Sequence, residues 1–290
     1  MLKVINPGIY SSVQDQGRFG FAHIGVPVSG CMDQVAANFA NCILGNSLKD
    51  AVLEFTFGLA KLEFLSPTII CISGAACAPK LNAASVAMNT PISIQEKDVL
   101  SFGTVSEGIR TYLAVKNGFQ TEIKLASKSQ YQHITTSASI QKNDLLYFEA
   151  FTKPLTHSNA KLKLDLSRFS QNELPCFEGP EFYLLSKQQK QLLLHTSFTI
   201  SNDANRMGYR LNKEISNQLT PIVTSSVLPG TVQLTPSGRI IILMKDCQVT
   251  GGYPRILQLT KEAIAVLSQK HTNQQISFKS VDFFNSSITY

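Results

Sequence analysis

The chain has 290 residues, 43% hydrophobic and 16% charged, with 26 Lys and Arg against 20 Asp and Glu. That composition supplies a buried core and excludes an intrinsically disordered chain, and the length favours two domains over one. The net charge of +6 is diffuse, without basic runs or basic residues interleaved with aromatics. It argues against nucleic acid and suits a small anionic substrate or an acidic partner.

At the amino terminus, residues 1–8 hold one cation and a Pro-Gly turn where a signal peptide needs an unbroken apolar stretch. A cytoplasmic protein is expected. The longest apolar runs, such as 240–244, are strand-length and far short of the ~20 residues of a membrane helix. Cysteines 31, 42, 71, 77, 176 and 247 form no C-x-x-C pair, so free thiols are expected and no zinc or other metal.

Residues 14–33 read as a polar loop in which Arg18, His23, Ser29 and Asp33 are threaded among Gly17, Gly20, Gly25 and Gly30. Apolar positions 32, 35, 36, 39, 40, 43 and 44 then fall on one helical face, predicting a helix over 32–44 with Ser29 near the cap and Gly45 past the end. Unpaired amides at the start of that helix would suit a carboxylate or phosphate, although Ser29 and Asp33 equally fit simple capping. Clusters of β-branched and aromatic residues between turn formers predict strands at 62–65, 68–73, 99–102, 109–115, 222–226, 231–234, 239–244, 255–259 and 276–280. Two shorter helices are predicted over 185–194 and 261–269. The polar stretch 152–171 reads as a surface excursion or hinge.

Between the strands at 239–244 and 255–259 lies a compact loop carrying Asp246, Gln248, Thr250, Gly251, Gly252 and Tyr253. Four hydrogen-bonding side chains exceed what a turn needs, and paired glycines let a ligand approach the backbone. Arg206 and Arg210 flank Met207-Gly208-Tyr209 and are suited to holding planar carboxylates. The pattern D-x-x-R-x-G occurs at 15–20 and again at 203–208, a weak sign of internal duplication. No phosphate loop, H-E-x-x-H or G-x-S-x-G motif is present. Met244-Lys245 ends a strand instead of a hairpin tip, so covalent biotin is not expected there.

Five ordered stretches add a resemblance: Ser12-Val13-Gln14-Asp15-Gln16-Gly17-Arg18, Gly25-Val26-Pro27-Val28-Ser29-Gly30-Cys31-Met32-Asp33, Gly108-Ile109-Arg110-Thr111-Tyr112-Leu113-Ala114-Val115, Asn205-Arg206-Met207-Gly208-Tyr209-Arg210-Leu211 and Thr250-Gly251-Gly252-Tyr253-Pro254. The chain resembles, from Leu2 to about Val281, the family of 5-oxoprolinase C subunits, also called allophanate hydrolase subunit 2 or biotin-dependent carboxyltransferase-like. The resemblance implies a mainly β fold with a few helices, in two β-rich domains: an N-terminal one over 1–107 and a C-terminal cyclophilin-like barrel over 108–290. It implies a hetero-oligomeric hydrolase that works with a B-type sister subunit and a separate A-type one, using ATP to open 5-oxoproline to L-glutamate, with the ATP not necessarily bound by this chain. Alternatives are a carboxyltransferase-like subunit of a urea- or allophanate-type enzyme, or a non-catalytic regulator that pairs with its sister subunit to antagonise inhibition of a histidine kinase.

On this reading the catalytic residues are Asp246, Gln248, Thr250 and Tyr253. The substrate-binding residues are Arg18, His23, Ser29, Asp33, Lys128, Arg206, Arg210, Gly251 and Gly252. The chain departs from the family between 117 and 139. The usual Gly-Gly is Asn117-Gly118, the usual L-G-S-R-S-T is Leu125-Ala126-Ser127-Lys128-Ser129-Gln130, and a glycine-rich run is replaced by residues 133–139. Lysine keeps the charge of the usual arginine but not its fork geometry.

Overall fold

The computed structural model describes residues 1–153 and 162–282. The chain is mainly β and forms two compact units, one from Met1–Phe19 and Ser29–Leu166, the other from Gly20–Val28 and Ser167–Tyr290. Part of the stretch 152–171 lies outside the described residues. The expected boundary after residue 107 does not match this division. It would cut the strand Glu107–Val115, which is hydrogen-bonded on both edges within the first unit.

In the first unit the strands are β1 (Leu2–Asn6), β2 (Tyr10–Gln14), β3 (Val52–Thr56), β4 (Lys61–Phe64), β5 (Thr68–Ala76), β6 (Lys80–Leu81), β7 (Ala84–Ser85), β8 (Pro91–Ile94), β9 (Val99–Ser101), β10 (Glu107–Val115) and β11 (Leu145–Leu146). They make a five-stranded sheet, β2-β3-β10-β5-β8, and a six-stranded sheet, β11-β1-β4-β9-β6-β7. Side chains alternate across each strand, so one residue of every pair faces the sister sheet. Val13, Leu53, Leu113 and Ile72 lie side by side across the first sheet and pack with Val4, Leu62, Phe64 and Leu100 of the second.

The other face of the five-stranded sheet is covered by helix α1 (Gln34–Ile43). Ala36, Ala37, Ala40 and Leu44 pack there on Val52, Cys71, Tyr112 and Ala114. Small residues let the helix lie close to the strands. The helix starts two residues later than its apolar spacing predicts, because Asp33 is the cap: its Oδ1 accepts from Ala36 N at 3.1 Å. Ser29 lies outside the helix in a left-handed conformation, φ 55°.

In the second unit, β12 (Glu173–Glu178), β13 (Phe198–Thr199), β14 (Gly208–Arg210), β16 (Thr231–Leu234), β17 (Ile240–Leu243), β19 (Arg255–Leu259) and β20 (Gln275–Ser280) form one sheet in the order β13-β20-β12-β19-β16-β17-β14, while β15 (Ser225–Ser226) pairs with β18 (Thr250–Gly251). The two edge strands of the seven-stranded sheet meet. Ile200 bridges Leu211, with Ser201 N donating to Arg210 O and Asn212 N to Thr199 O, both at 2.9 Å. The sheet therefore curls into a barrel, which removes its free edges. Buried residues two apart line the inside, among them Tyr209 and Leu211, Val232 and Leu234, Ile240 and Ile242, and Ile276 and Phe278. The barrel strands span 173–280, a shorter stretch than the expected 108–290.

Helices α2 (Lys187–His195) and α3 (Lys261–Ser268) lie within two residues of their predicted spans, the former opened by a capping box of Ser186 and Gln189 and the latter by Thr260. All six cysteines are free thiols, and burial pushes those of Cys71, Cys176 and Cys247 up to about 12. Among the described residues no helix is long and apolar enough to cross a membrane.

Candidate functional site

The α1-covered face of the five-stranded sheet carries a row of polar side chains where an apolar layer would be expected. Register places Ser12 beside Glu54, Glu54 beside Tyr112 and Tyr112 beside Ser73, all on that face and all buried. Arg110 stands two residues along β10 from Tyr112, its Nε 3.9 Å from Glu54 Oε1. Taking a carboxylate and a guanidinium out of water costs several kcal/mol per ion in effect, and an apolar row would often be no less stable. The row therefore marks a candidate site.

The loop 29–33 is laid across this row by hydrogen bonds from its own amides. Gly30 N donates to Gln14 Oε1 at 3.1 Å, Met32 N to Glu54 Oε2 at 2.8 Å and Asp33 N to the Tyr112 hydroxyl at 2.7 Å. Tyr112 in turn donates to Glu54 Oε2 at 2.8 Å. Burial, then the neighbouring Glu54 and Asp33 carboxylates, holds the Tyr112 hydroxyl protonated well above its ordinary range. Within this frame the Ser29 hydroxyl is buried without a hydrogen-bond partner, as is that of Ser73. A buried, unsatisfied hydroxyl on a left-handed serine is a costly arrangement of the kind found at ligand sites.

Beside the loop, Asp15 organises the segment 124–129. Its Oδ1 accepts from Gly17 N at 2.8 Å, Ser127 Oγ at 2.7 Å and Ser129 Oγ at 2.6 Å, and its Oδ2 from Lys128 N at 2.6 Å. Arg18 is buried, donating to the carbonyls of Lys124 and Ser129 at 3.0 and 2.7 Å. The Lys128 ammonium donates to Phe119 O at 2.8 Å. Gly30, at φ +88°, presses on Gly17, where a Cβ would come within 2.9 Å of the Gly17 Cα. The motif glycines thus interlock two stretches of the first unit.

In the second unit the loop 246–254 presents exposed Gln248, Thr250 and Tyr253 on a fixed base. Asp246 does not face outward with them. It is buried, and Arg206 clamps it with two bonds, Nε to Oδ2 at 2.7 Å and Nη2 to Oδ1 at 3.1 Å. Gly251 and Gly252 are needed for closeness more than for unusual backbone angles. Neither has positive φ, while a Cβ at 251 would come within 2.6 Å of Gln233 Nε2 and one at 252 within 3.2 Å of Ile222 O. Arg255, at the outgoing end, is held by Glu181 through Nε and Nη2 at 2.9 and 2.7 Å.

The Glu181 carboxyl lies below its ordinary value of 4.5, chiefly because Arg255 donates to it. A depressed carboxyl contributes stability that is present above its unfolded value and lost as pH falls through its folded value. Glu181→Gln should therefore flatten the acid side of the stability profile below pH 4.5. Urea unfolding of both proteins across that window checks this, and equal slopes would contradict it.

The candidates from sequence thus divide between the units: Arg18, Ser29, Asp33 and Lys128 in the first, His23, Arg206, Arg210 and the 246–254 loop in the second. His23 and Arg210 are exposed, whereas Arg18, Asp33, Arg206 and Asp246 are buried and committed to internal hydrogen bonds. The similar patterns at 15–20 and 203–208 do not serve alike. Asp15 is a buried acceptor while the Asp203 side chain is 67% exposed. Sequence reasoning missed Glu54, Arg110 and Tyr112, whose signal would have been a charged residue inside an otherwise buried strand pattern. Among the described residues no three His, Cys, Asp or Glu side chains converge as metal ligands.

A helix-covered pair of sheets in the first unit and a seven-stranded barrel in the second make a fold shared with known proteins. Residues 24–280 match the carboxyltransferase domain family, subdomain A and B, and the chain belongs to that family. It is 29% identical over 284 residues to the C subunit of 5-oxoprolinase from Escherichia coli (strain K12), a match covering 96% of this chain and 90% of that protein. It is 41% identical over 130 residues to urea amidolyase of Lachancea kluyveri, covering 44% of this chain and 7% of that protein. The fold is also that of part of the K. lactis urea amidolyase crystal structure, with a TM-score of 0.87 at 24% identity over 98% of this chain, which spans 19% of that one.

Proposed function

We propose that this chain is the C subunit of a cytoplasmic, ATP-dependent 5-oxoprolinase that, with A-type and B-type partners, opens 5-oxoproline to L-glutamate. The observation that carries the reading is the similarity to a 5-oxoprolinase C subunit along 96% of this chain and 90% of that protein. The sequence match to the Lachancea kluyveri urea amidolyase, by contrast, reaches 44% of this chain and 7% of that protein.

A lactam is a poor electrophile, so the reaction needs activation. Transfer of the ATP γ-phosphoryl group to the lactam oxygen gives an imidate that water attacks. The C–N bond then breaks with the nitrogen leaving as an amine, and a second water hydrolyses the remaining acyl phosphate to glutamate and phosphate. The developing oxyanion and the substrate carboxylate need fixed donors. Each unit, taken by itself, offers candidate donors: in the first, Ser29 Oγ on a loop held by Gln14, Glu54 and Tyr112; in the second, the exposed Gln248, Thr250 and Tyr253 side chains on a loop held by the Arg206–Asp246 clamp. Lys245 is buried, which supports a reading without covalent biotin at that residue.

Mixing the chain with its A-type and B-type partners should give glutamate from 5-oxoproline only when ATP is present, and no glutamate under saturating substrate and ATP would overturn the reading. The likeness to urea amidolyase favours a second reading, carboxyl transfer to urea. It predicts turnover of urea with a biotin carboxylase and its carrier, and none of 5-oxoproline.

A further inference from the structure

The closed edge of the second unit's barrel carries a cavity on its outer surface. It has a volume of about 410 Å³ and is lined by Asn202, Asp203, Arg210, Asn212, Glu214 and Arg239, together with Ser201 and Leu211. That volume lies within the ~300–1,000 Å³ of small-molecule sites. Its floor is fixed by the two backbone bonds that close the barrel, from Ser201 N to Arg210 O and from Asn212 N to Thr199 O.

Register sets the charges. Arg210 pairs with Ile241, and Arg239 stands two residues before Ile241 on the same strand line, so both arginines share the outer face while Ile240 and Ile242 point inward. Each guanidinium has a carboxylate nearby, but at long range: Arg210 to Asp203 at 3.9 Å and Arg239 to Glu214 at 3.5 Å. Both pairs are about half exposed, and neither arginine side chain donates a hydrogen bond among the described residues. The other two arginine pairs of this unit are bidentate, at 2.7 and 3.1 Å for Arg206 and at 2.9 and 2.7 Å for Arg255. Loose, solvent-screened pairs are weak and exchange partners readily.

A cavity with two cations and two anions discriminates by charge pattern. A simple anion bridging the arginines would face Asp203 and Glu214, and a diamine would face the arginines. A zwitterion satisfies both, replacing each weak pair with a better one. We propose that this cavity binds a small zwitterionic amino acid, its carboxylate held by Arg210 and Arg239 and its ammonium by Asp203 and Glu214, with the Asn202 and Asn212 amides completing the hydrogen bonds.

The inference stands on the geometry of the second unit and not on the proposed reaction, so it is tested on the full chain without partner subunits or ATP. Titration calorimetry with L-glutamate, L-alanine, succinate and inorganic phosphate should show an amino acid binding at least tenfold tighter than either simple anion. Arg210→Gln and Glu214→Gln should each weaken that binding at least tenfold while melting temperatures stay unchanged, since both side chains are exposed. Three results would each overturn it: no heat from either amino acid, succinate or phosphate binding as tightly as the amino acids, or unchanged binding in both variants.

Discussion

Asp246→Ala is expected to lower the unfolding free energy by about 3–5 kcal/mol, the cost of removing the carboxylate from a buried ion pair. The Arg206–Asp246 clamp is bidentate and buried, and Asp246 N also donates to Arg206 O at 2.8 Å. Replacing both charges, as in Arg206→Met with Asp246→Leu, should restore most of the loss, because a buried cation that has lost its counter-charge is the expensive part. Urea denaturation of the single and double variants measures this. A loss under about 1 kcal/mol in Asp246→Ala, the size of an exposed pair, would contradict it. The clamp fixes the base from which Gln248, Thr250 and Tyr253 project, so the single variant should also lose activity through misplacement. Were Asp246 instead to act on substrate directly, Asp246→Asn would keep the fold and lose turnover.

Asp15→Ala should be nearly as damaging in the first unit. It removes the acceptor for two backbone amides and two serine hydroxyls. Hydrogen bonds to a charged group contribute about 1.5–3 kcal/mol each and are not additive, so a total loss of about 3–4 kcal/mol is expected. The segment 125–130 belongs to no sheet and should detach first. Trypsin cleavage after Lys128 under native conditions should become fast in the variant and stay slow in the parent. Equal cleavage rates would show that Asp15 does not hold the segment.

These two carboxylates show where the sequence was legible and where it was not. The period-two strands of both units and the apolar face of α1 were readable, because each is written in consecutive residues. Ser29 and Asp33 both fitted a cap in the sequence, and Asp33 fills it because capping is decided by which side chain reaches the N3 amide, not by residue type alone. The Arg206–Asp246 clamp joins residues 40 apart and the Glu54–Tyr112 bond residues 58 apart, so neither could be seen before register was known. The division into units was hidden for a related reason: residues 20–28 leave the first unit and the chain returns to it at Ser29. The loop at 246–254 was legible as a loop rich in polar groups. Its buried aspartate and its close-packed glycines were not, because exposure depends on the Arg206 and Gln233 side chains beneath it.

The most direct measurement of the proposed function is a drop-out assay. The A-type and B-type partners are supplied with 5-oxoproline and ATP, and glutamate and phosphate are quantified with and without this chain. Stoichiometric glutamate and phosphate only when the chain is present is the predicted result. Equal glutamate production without it would contradict the assignment of this chain as a required subunit.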